Sequence, residues 1–211
     1  MLNTNQAATK IEQTVREAVA ARRGHFRYES GHHGDLWLDL DGLFVDARRV
    51  RDLASALAEQ VRICRPELVC GPLTGGAFIA QLVAAEIGVG FVFAERLVLE
   101  AGSVQYRLPE PLRPAVSGRR VLLVDDAVNA GSAVLLTLAD LLACSAELAG
   151  FASLLTLGDA AAHIAQPYGV PFFKLVSLER GLWLTEECPL CSAGVPLIDP
   201  HAKDPKGFQN P

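Results

Sequence analysis

The sequence predicts an α/β protein in which helices flank a parallel sheet, with a small addition at the N-terminus and a tail at the C-terminus. From about residue 66 to residue 179, short apolar segments alternate with segments of helical length. Apolar strands separated by helices are typical of a parallel sheet that is covered on both faces. A chain of 211 residues, half of them hydrophobic, has the size and composition of one packed domain. We expect a single domain, with a helix and hairpin at 1–45, the core at 46–180 and the tail at 181–211.

The N-terminal segments come before the alternating core. Residues 5–22 have a helical period, and Gly24 follows as a stop signal. Residues 25–44 contain two short alternating stretches around a Ser-Gly-His-His-Gly turn, which predicts an antiparallel hairpin. Asp46 is placed to cap a helix that runs to residue 60.

The core elements are predicted from their apolar periodicity. The strands are expected at 67–71, 90–96, 119–126, 147–157 and 171–179, and the helices at 75–88, 132–146 and 159–169. Residues 97–118 contain three prolines and two glycines and do not fit the alternation. A connection of this length is typical of a mobile functional loop or lid, so we expect one here.

Charge and cysteine content exclude several classes of function. The formal net charge is −5 and the chain has only four lysines, at positions 10, 174, 203 and 206, so it lacks the broad basic surface that nucleic acids require. No apolar run approaches the roughly 18–20 residues that span a bilayer, and the N-terminus lacks the apolar segment of a secretory signal. Five cysteines, an odd number, favour a reducing compartment. We therefore expect a cytoplasmic protein that binds neither nucleic acid nor membrane.

The stretch VLLVDDAVNAGSA, residues 121–133, combines an apolar strand, two aspartates and the start of a helix. Ligands of parallel sheets gather at the carboxyl ends of strands, and small residues that lead into a helix let successive N–H groups converge on a phosphate. Asp125 and Asp126 would repel that phosphate unless they face a sugar diol or Mg²⁺, which suits hard oxygen ligands. The sequence thus predicts a sugar-phosphate site, the alternative being a strand-end turn with Ser132 as a helix cap.

At these residues the sequence resembles the type I phosphoribosyltransferases, whose signature is four hydrophobic residues, two acidic residues, a small-residue loop, and Gly followed by Ser or Thr. The likeness extends to the orotate branch of that family. SGHHGDLWLDLDGLF, residues 30–44, resembles its N-terminal hood, and GPLTGGAFIA, residues 71–80, resembles its pyrophosphate loop. The resemblance implies a phosphoribosyltransferase-like fold and transfer of phosphoribose from phosphoribosyl pyrophosphate (PRPP) to a nucleobase with release of pyrophosphate.

The resemblance also implies roles for particular residues, Mg²⁺ as the cofactor, PRPP and a nucleobase as partners, and a homodimer. Asp125 and Asp126, which hold the ribose and its Mg²⁺, are expected to act in catalysis together with Arg96. The residues expected to bind PRPP are Leu73, Thr74, Gly75, Gly76, Arg107, Ala127, Val128, Asn129, Ala130, Gly131 and Ser132. The hood residues expected at the base are Phe26, Trp37 and Leu38. For Arg107, a solvated loop charge is an equally weighted alternative.

The chain departs from the orotate branch in its basic residues. It has no lysine between Lys10 and Lys174, Glu29 stands at the position that is often lysine in the hood, and Gly75 stands at the lysine position of the pyrophosphate loop. Residues 152–165 lack the arginine that many orotate enzymes place near the base carboxylate. Three readings therefore stay open: an orotate enzyme, an enzyme for another base such as a purine, and a non-catalytic PRPP-sensing module.

The tail contains Cys188-Pro-Leu-Cys191, which has the spacing of a zinc-ligand pair. A tetrahedral site needs two further ligands, which His201, Cys64, Cys70 or the cysteines of a second subunit would have to supply. Two ordinary cysteines in a turn are the alternative. The histidines that flank the hood hairpin, His25, His32 and His33, are expected to be exposed turn residues, with substrate contact as the alternative.

Overall fold

The computed structural model describes residues 4–28, 30–100 and 102–200 of the 211. The helices of this part of the chain are α1 Thr4–Ala18, α2 Ala47–Val61, α3 Gly75–Ile87, α4 Arg113–Val116, α5 Ser132–Ala143, α6 Ala160–Ala165 and α7 Pro189–Ser192. Its strands are β1 Ala20–Arg27, β2 His33–Asp39, β3 Leu68–Pro72, β4 Gly90–Val98, β5 Val104–Arg107, β6 Arg120–Val128, β7 Glu147–Leu157, β8 Phe172–Leu178 and β9 Leu182–Trp183. The predicted core strands are present, each within two residues of its predicted bounds.

The core is a six-stranded sheet in the order β5-β4-β3-β6-β7-β8. Neighbouring strands from β4 to β8 pair in parallel, and only β5, at the edge, is antiparallel. Leu122 and Val124 of β6 are buried on one face with α2 and α3, whereas Val121 and Leu123 are buried on the other with α5. This alternation places helices on both sides of the sheet, so the predicted fold class is confirmed.

The helix cap predicted at Asp46 is also present. The Asp46 carboxylate accepts hydrogen bonds from the backbone N–H groups of Arg48 and Arg49, at 3.1 and 3.2 Å. These bonds satisfy two of the donors that the first turn of α2 leaves unpaired.

The hood is a three-stranded antiparallel sheet in the order β1-β2-β9. Here the predicted first helix is too long, because α1 ends at Ala18 and residues 20–27 form β1. Pairing of β1 with β2, from Ala20 opposite Asp39 to Arg27 opposite His33, provides backbone hydrogen bonds that outweigh the local preference for helix. The strand β9 comes from the predicted tail and joins the hood at His33 and Gly34.

The segment 97–118, predicted as a long loop, is for the most part regular structure. It forms a hairpin of β4 and β5, in which Glu95 lies opposite Arg107, followed by a 3-10 turn and α4. Alternation of side chains in this segment buries Tyr106 on one face, which is the period of a strand. The expected role of this segment as a mobile functional loop or lid stays a prediction.

Among the described residues, no helix combines the length and the apolar character needed to cross a membrane.

Candidate active site

The two aspartates of the signature lie at the carboxyl end of β6, where they contact the start of α3. Asp125 is 7% exposed. The Asp126 N–H donates to Asp125 Oδ1 at 3.0 Å, and the Ala127 N–H donates to Asp126 Oδ1 at 2.8 Å. A Cβ atom at Gly75 would overlap the Asp126 carboxylate, and one at Gly76 would overlap that of Asp125. The parallel pairing of β3 and β6 thus brings together the acidic pair and the loop at 73–76, which the sequence places 50 residues apart.

The acidic pair is electrostatically unfavourable as it stands. Burial raises the pKa of the Asp125 carboxyl well above its usual range, and the neighbouring charge of Asp126 raises it further. Burial also raises the pKa of Asp126, although hydrogen bonds to its carboxylate partly oppose this. Two buried carboxylates that lack a cation favour sharing a proton. A cation or hydroxyl donors would reduce the repulsion between the two carboxylates, so the chemistry of the pair fits Mg²⁺ and a sugar diol.

The loop that follows the acidic pair lines a cavity and leads into α5. Gly131 adopts φ 82°, a left-handed conformation, and a Cβ atom there would overlap Ile164 Cδ1. Gly131 is the N-cap residue of α5 and has no side chain to accept from the first turn. The N–H groups at this helix start are therefore available to an anion, as the sequence predicted for a phosphate.

The cavity has a volume of about 340 Å³ and lies between the edge of the core sheet and the hood. The core contributes Asp125 and the loop residues, the hood contributes two aromatic rings, and the β4–β5 hairpin contributes a cation and a tyrosine. The lining residues are Tyr28, Ser30, Trp37, Arg96, Tyr106, Asp125, Ala127, Asn129, Ala130, Gly131, Ser132 and Ala133.

Some residues predicted for the site lie elsewhere. Phe26 is buried beneath Trp37, with 6.2 Å between the ring centres, and Leu38 packs against the core, so neither lines the cavity. The side chain of Val128 is also buried in the core. Strand alternation explains the placements of Leu38 and Val128, because these side chains follow Trp37 and Ala127 and point to the opposite face.

The pyrophosphate-loop residues border the acidic pair without lining the cavity. Thr74 is the N-cap residue of α3, the Leu73 N–H donates to Ala94 O at 2.9 Å, and the peptide between these two residues is cis. Arg107 lies toward α5, where its guanidinium is 3.8 Å from the Asp140 carboxylate and 4.0 Å from that of Glu110. This placement favours the alternative reading of Arg107 as a charge of the hairpin surface.

Sequence reasoning missed Tyr28 and Arg180. Tyr28 lines the cavity and donates through its hydroxyl to Leu36 O. Arg180 Nη2 donates to Asn129 O at 3.1 Å, and its guanidinium carbon lies 5.7 Å from the centre of the Tyr28 ring. The buried Nε of Arg180 has no hydrogen-bond partner among the described residues. Arg180 is the second residue after β8, the last strand of the core. The rule that ligands gather at the carboxyl ends of parallel strands, which predicted Asp125, could therefore have found Arg180 too.

The cysteines and histidines of the flanking segments are placed differently from the prediction. His25 and His33 are buried, at 1% and 3% exposed, and lie beside Cys188 and Cys191. The expectation that these histidines are exposed turn residues was wrong, because the C-terminal tail covers that end of the hairpin. Cys64 and Cys70 are buried elsewhere in the core. Glu29 and His201 lie outside the described residues.

Comparison with known proteins identifies the class to which this fold and site belong. The family model described as the phosphoribosyl transferase domain matches residues 45–174. The chain therefore belongs to the phosphoribosyltransferase family, a family of transferases, and the resemblance predicted from its signature residues is confirmed.

Relatives with similar sequences are named orotate phosphoribosyltransferases. The chain is 30% identical over 194 residues to orotate phosphoribosyltransferase of Caldanaerobacter subterraneus subsp. tengcongensis and 32% identical over 198 residues to that of Heliobacterium modesticaldum. Each alignment covers 92% of this chain and 97% of the relative.

Solved structures of this family share the fold. The orotate phosphoribosyltransferase of Aeropyrum pernix aligns with a TM-score of 0.60 at 20% identity, covering 81% of this chain and 93% of that one. The adenine phosphoribosyltransferase of Rhodothermus marinus aligns with a TM-score of 0.63 at 20% identity, covering 81% and 99%. At this identity the likeness shows the fold and does not distinguish between bases.

Proposed function

We propose that this protein transfers the phosphoribosyl group of PRPP to orotate, forming orotidine monophosphate and releasing pyrophosphate. The observation that supports the proposal is the cavity, because one space is lined by Asp125 of the acidic pair for a ribose, a helix start for a phosphate and aromatic rings for a base. The relatives named above favour orotate over a purine base and favour an enzyme over a non-catalytic PRPP sensor.

In this proposal the loop and the acidic pair share the sugar phosphate. The N–H groups from Asn129 to Ser132 bind the 5-phosphate, and Asp125 and Asp126 accept hydrogen bonds from the ribose hydroxyls. The same carboxylates would hold Mg²⁺ together with PRPP, since their hard oxygen atoms suit that ion. When bound, Mg²⁺ neutralises the charge that develops on the departing diphosphate.

The base would lie between the hood and the sugar. Trp37 and Tyr28, whose rings are nearly parallel with centres 6.4 Å apart, supply the apolar surface. We infer that Arg180 supplies the positive charge for the orotate carboxylate, which residues 152–165 do not provide. Its unpartnered Nε and its position against Tyr28 and Asn129 support this role.

Stabilising the leaving diphosphate requires positive charge, and the chain has no lysine between Lys10 and Lys174 to supply it. Gly75 stands at the lysine position of the related loops, and a Cβ atom there would force the Asp126 carboxylate to shift. We propose that Arg96, which lines the cavity from β4, acts in catalysis with the backbone of residues 73–76 by stabilising the diphosphate.

The family resemblance also leads us to propose a homodimer. The β4–β5 hairpin exposes three successive apolar residues, Leu97, Val98 and Leu99, and a second subunit would cover them. An activated sugar phosphate as substrate, and the lack of a disulfide among the cysteines of the described structure, favour a cytoplasmic location.

The proposal is tested by incubating the protein with PRPP, Mg²⁺ and either orotate, uracil, adenine or hypoxanthine, and measuring pyrophosphate. Pyrophosphate is expected with orotate. Replacing both Asp125 and Asp126 with Asn should lower kcat/KM by about 100-fold or more, whereas Asp52→Asn, at an exposed position of α2, should not. Release with adenine alone would instead assign a purine enzyme. Saturable PRPP binding with no release for any base would assign a sensor.

A further inference from the structure

Four metal-binding side chains meet at the junction of the hood and the tail. His25 and His33 come from β1 and β2, and Cys188 and Cys191 flank the start of α7. One ligand atom from each residue lies within 4.8 Å of all the others. His25, His33 and Cys188 are buried, and Cys191 lies at the surface. All four lie outside residues 45–174, the part of the chain that matches the family model.

The distances among these atoms fit one tetrahedral ion. His25 Nε2 is 3.1 Å from His33 Nδ1, 3.4 Å from Cys188 Sγ and 3.7 Å from Cys191 Sγ, and Cys191 Sγ is 3.2 Å from His33 Nδ1. Bonds of about 2.0–2.1 Å to nitrogen and about 2.3 Å to sulfur place the corners of a tetrahedral zinc site about 3.3 to 3.8 Å apart. The four groups are therefore already close to the spacing that coordination requires.

The surroundings of His25 orient its ring for this purpose. His25 Nδ1 lies 2.8 Å from Val195 O, so the protonated Nδ1 donates to that carbonyl and Nε2 is left as a ligand atom. A β-bulge between Arg23 and Phe26 adds one residue to β1 immediately beside His25. Hydrogen bonds from Ile198 N to His25 O and from Arg27 N to Ile198 O, at 2.8 and 3.0 Å, join the tail to the same strand.

We propose that His25, His33, Cys188 and Cys191 bind one Zn²⁺ as a structural site. Two thiolates and two neutral imidazoles give a site with no net formal charge, which lowers the cost of burying the ion. With all four positions taken by the protein, the site has no open position for a substrate. Its consequence is mechanical: zinc joins the C-terminal tail to the hairpin that carries Tyr28 and Trp37.

The first test is the zinc content of the untagged protein, purified from zinc-supplemented medium without chelators. About one zinc per chain is expected in the wild type, and less than about a tenth in Cys191→Ser and in His33→Gln. Cys144→Ser and His32→Gln are the matched controls, because Cys144 and His32 lie outside the cluster, and both should retain the full content. Wild-type content below half an equivalent, or equal content in ligand and control variants, would overturn the proposal.

A second measurement does not depend on the variants being folded. Exchange of Co²⁺ into the wild-type protein should give the intense visible absorption of four-coordinate cobalt together with thiolate-to-cobalt charge transfer. The weak absorption of six-coordinate cobalt would contradict the site. Mass spectrometry of the purified wild-type chain provides the opposite outcome. A mass lower by two hydrogens, with Cys188 and Cys191 protected from alkylation, would show a disulfide between them and would overturn the zinc proposal.

Discussion

At the scale of single residues, the acidic pair illustrates how a binding site is held at the expense of stability. Asp125 and Asp126 are adjacent and contact the glycines that begin α3, and Asp125 is buried there. A Cβ atom at Gly75 or Gly76 would force the facing carboxylate to shift. The close approach of the loop to the pair therefore depends on these two glycines.

The pH dependence of stability should reflect this pair. Burial raises the pKa of both carboxyls in the folded protein, so charging them opposes folding. This cost is absent below the unfolded pKa of about 3.9 and increases as the pH rises through the folded values. In the absence of Mg²⁺ and PRPP, replacing both residues with Asn should therefore raise Tm relative to wild type more at pH 8 than at pH 5. Calorimetry at both values checks this, and a difference in Tm that does not change with pH would contradict it.

Arg180 should determine the affinity for a base that carries a carboxylate. Arg180→Gln is expected to raise KM for orotate by about 10- to 100-fold, because it removes charged hydrogen bonds, and to change KM for PRPP much less. Arg180→Lys should recover part of the loss, since the charge returns without the planar guanidinium. Steady-state kinetics with each substrate varied in turn provide the measurement. Arg48→Gln, an exposed residue of α2, is the control, and equal effects on both KM values would refute the assignment.

At the scale of elements, the turn from β6 to α5 requires a glycine at position 131 for two separate reasons. Gly131 must adopt a positive φ and must leave room for Ile164. Gly118 also has a positive φ, of 68°, but a Cβ atom there would meet nothing within 4 Å. These two positions allow the conformational and steric contributions to be separated.

Gly118→Ala should cost about 1–2 kcal/mol of unfolding free energy, the cost of a left-handed conformation for alanine. Gly131→Ala should cost about 1–3 kcal/mol more, because it also forces Ile164 to move. Urea denaturation measures both. If the reasoning holds, Ile164→Ala will be less harmful in the Gly131→Ala background than in the wild type. Equal costs at positions 118 and 131 would be inconsistent with it.

At the scale of the whole molecule, the tail and the hood are connected although they lie at opposite ends of the chain. The strand β9 extends the hood sheet, and Ile198 pairs with Phe26. Arg27 also forms an ion pair with Asp199. The proposed zinc site lies within this junction, which also carries Tyr28 and Trp37, the hood residues that line the cavity.

Removal of zinc should loosen this junction without unfolding the core. Hydrogen exchange after treatment with a strong chelator should show faster exchange in β1, β2 and residues 182–198. The amides of β6 and β7 provide the internal control, because they lie in the centre of the core sheet. Unchanged exchange in the hood would show that the ion does not hold the two segments together.

The proposed dimer leads to a prediction about the β4–β5 hairpin. Light scattering should give twice the 22.6 kDa mass of the chain for the wild type. Val98→Glu should shift the mass toward one chain, because it places a charge in the apolar contact. Ile63→Glu is the matched control, since Val98 is 61% exposed and Ile63 is 79% exposed, but only Val98 lies on the hairpin. A monomeric wild type would contradict the dimer.

The sequence by itself predicted the alternating strands and helices of the core between residues 67 and 179 and the cap at Asp46. It also predicted a sugar-phosphate site from Asp125 to Ser132, which stays a prediction. These features are local: apolar period, turn residues and the start of a helix are all encoded within about ten residues. The division into a single domain with hood, core and tail stays a prediction from the same patterns.

Only the tertiary structure decided where β1 begins, that Arg180 lies beside Tyr28, and that two histidines lie beside the Cys-x-x-Cys turn. His25 and Cys188 are 163 residues apart in the chain. Their contact depends on the pairing of β1, β2 and β9 and on a bulge, neither of which a local pattern encodes. The proposed sugar-phosphate site could be predicted because one continuous segment builds most of it, whereas the proposed base and zinc sites are assembled from distant segments.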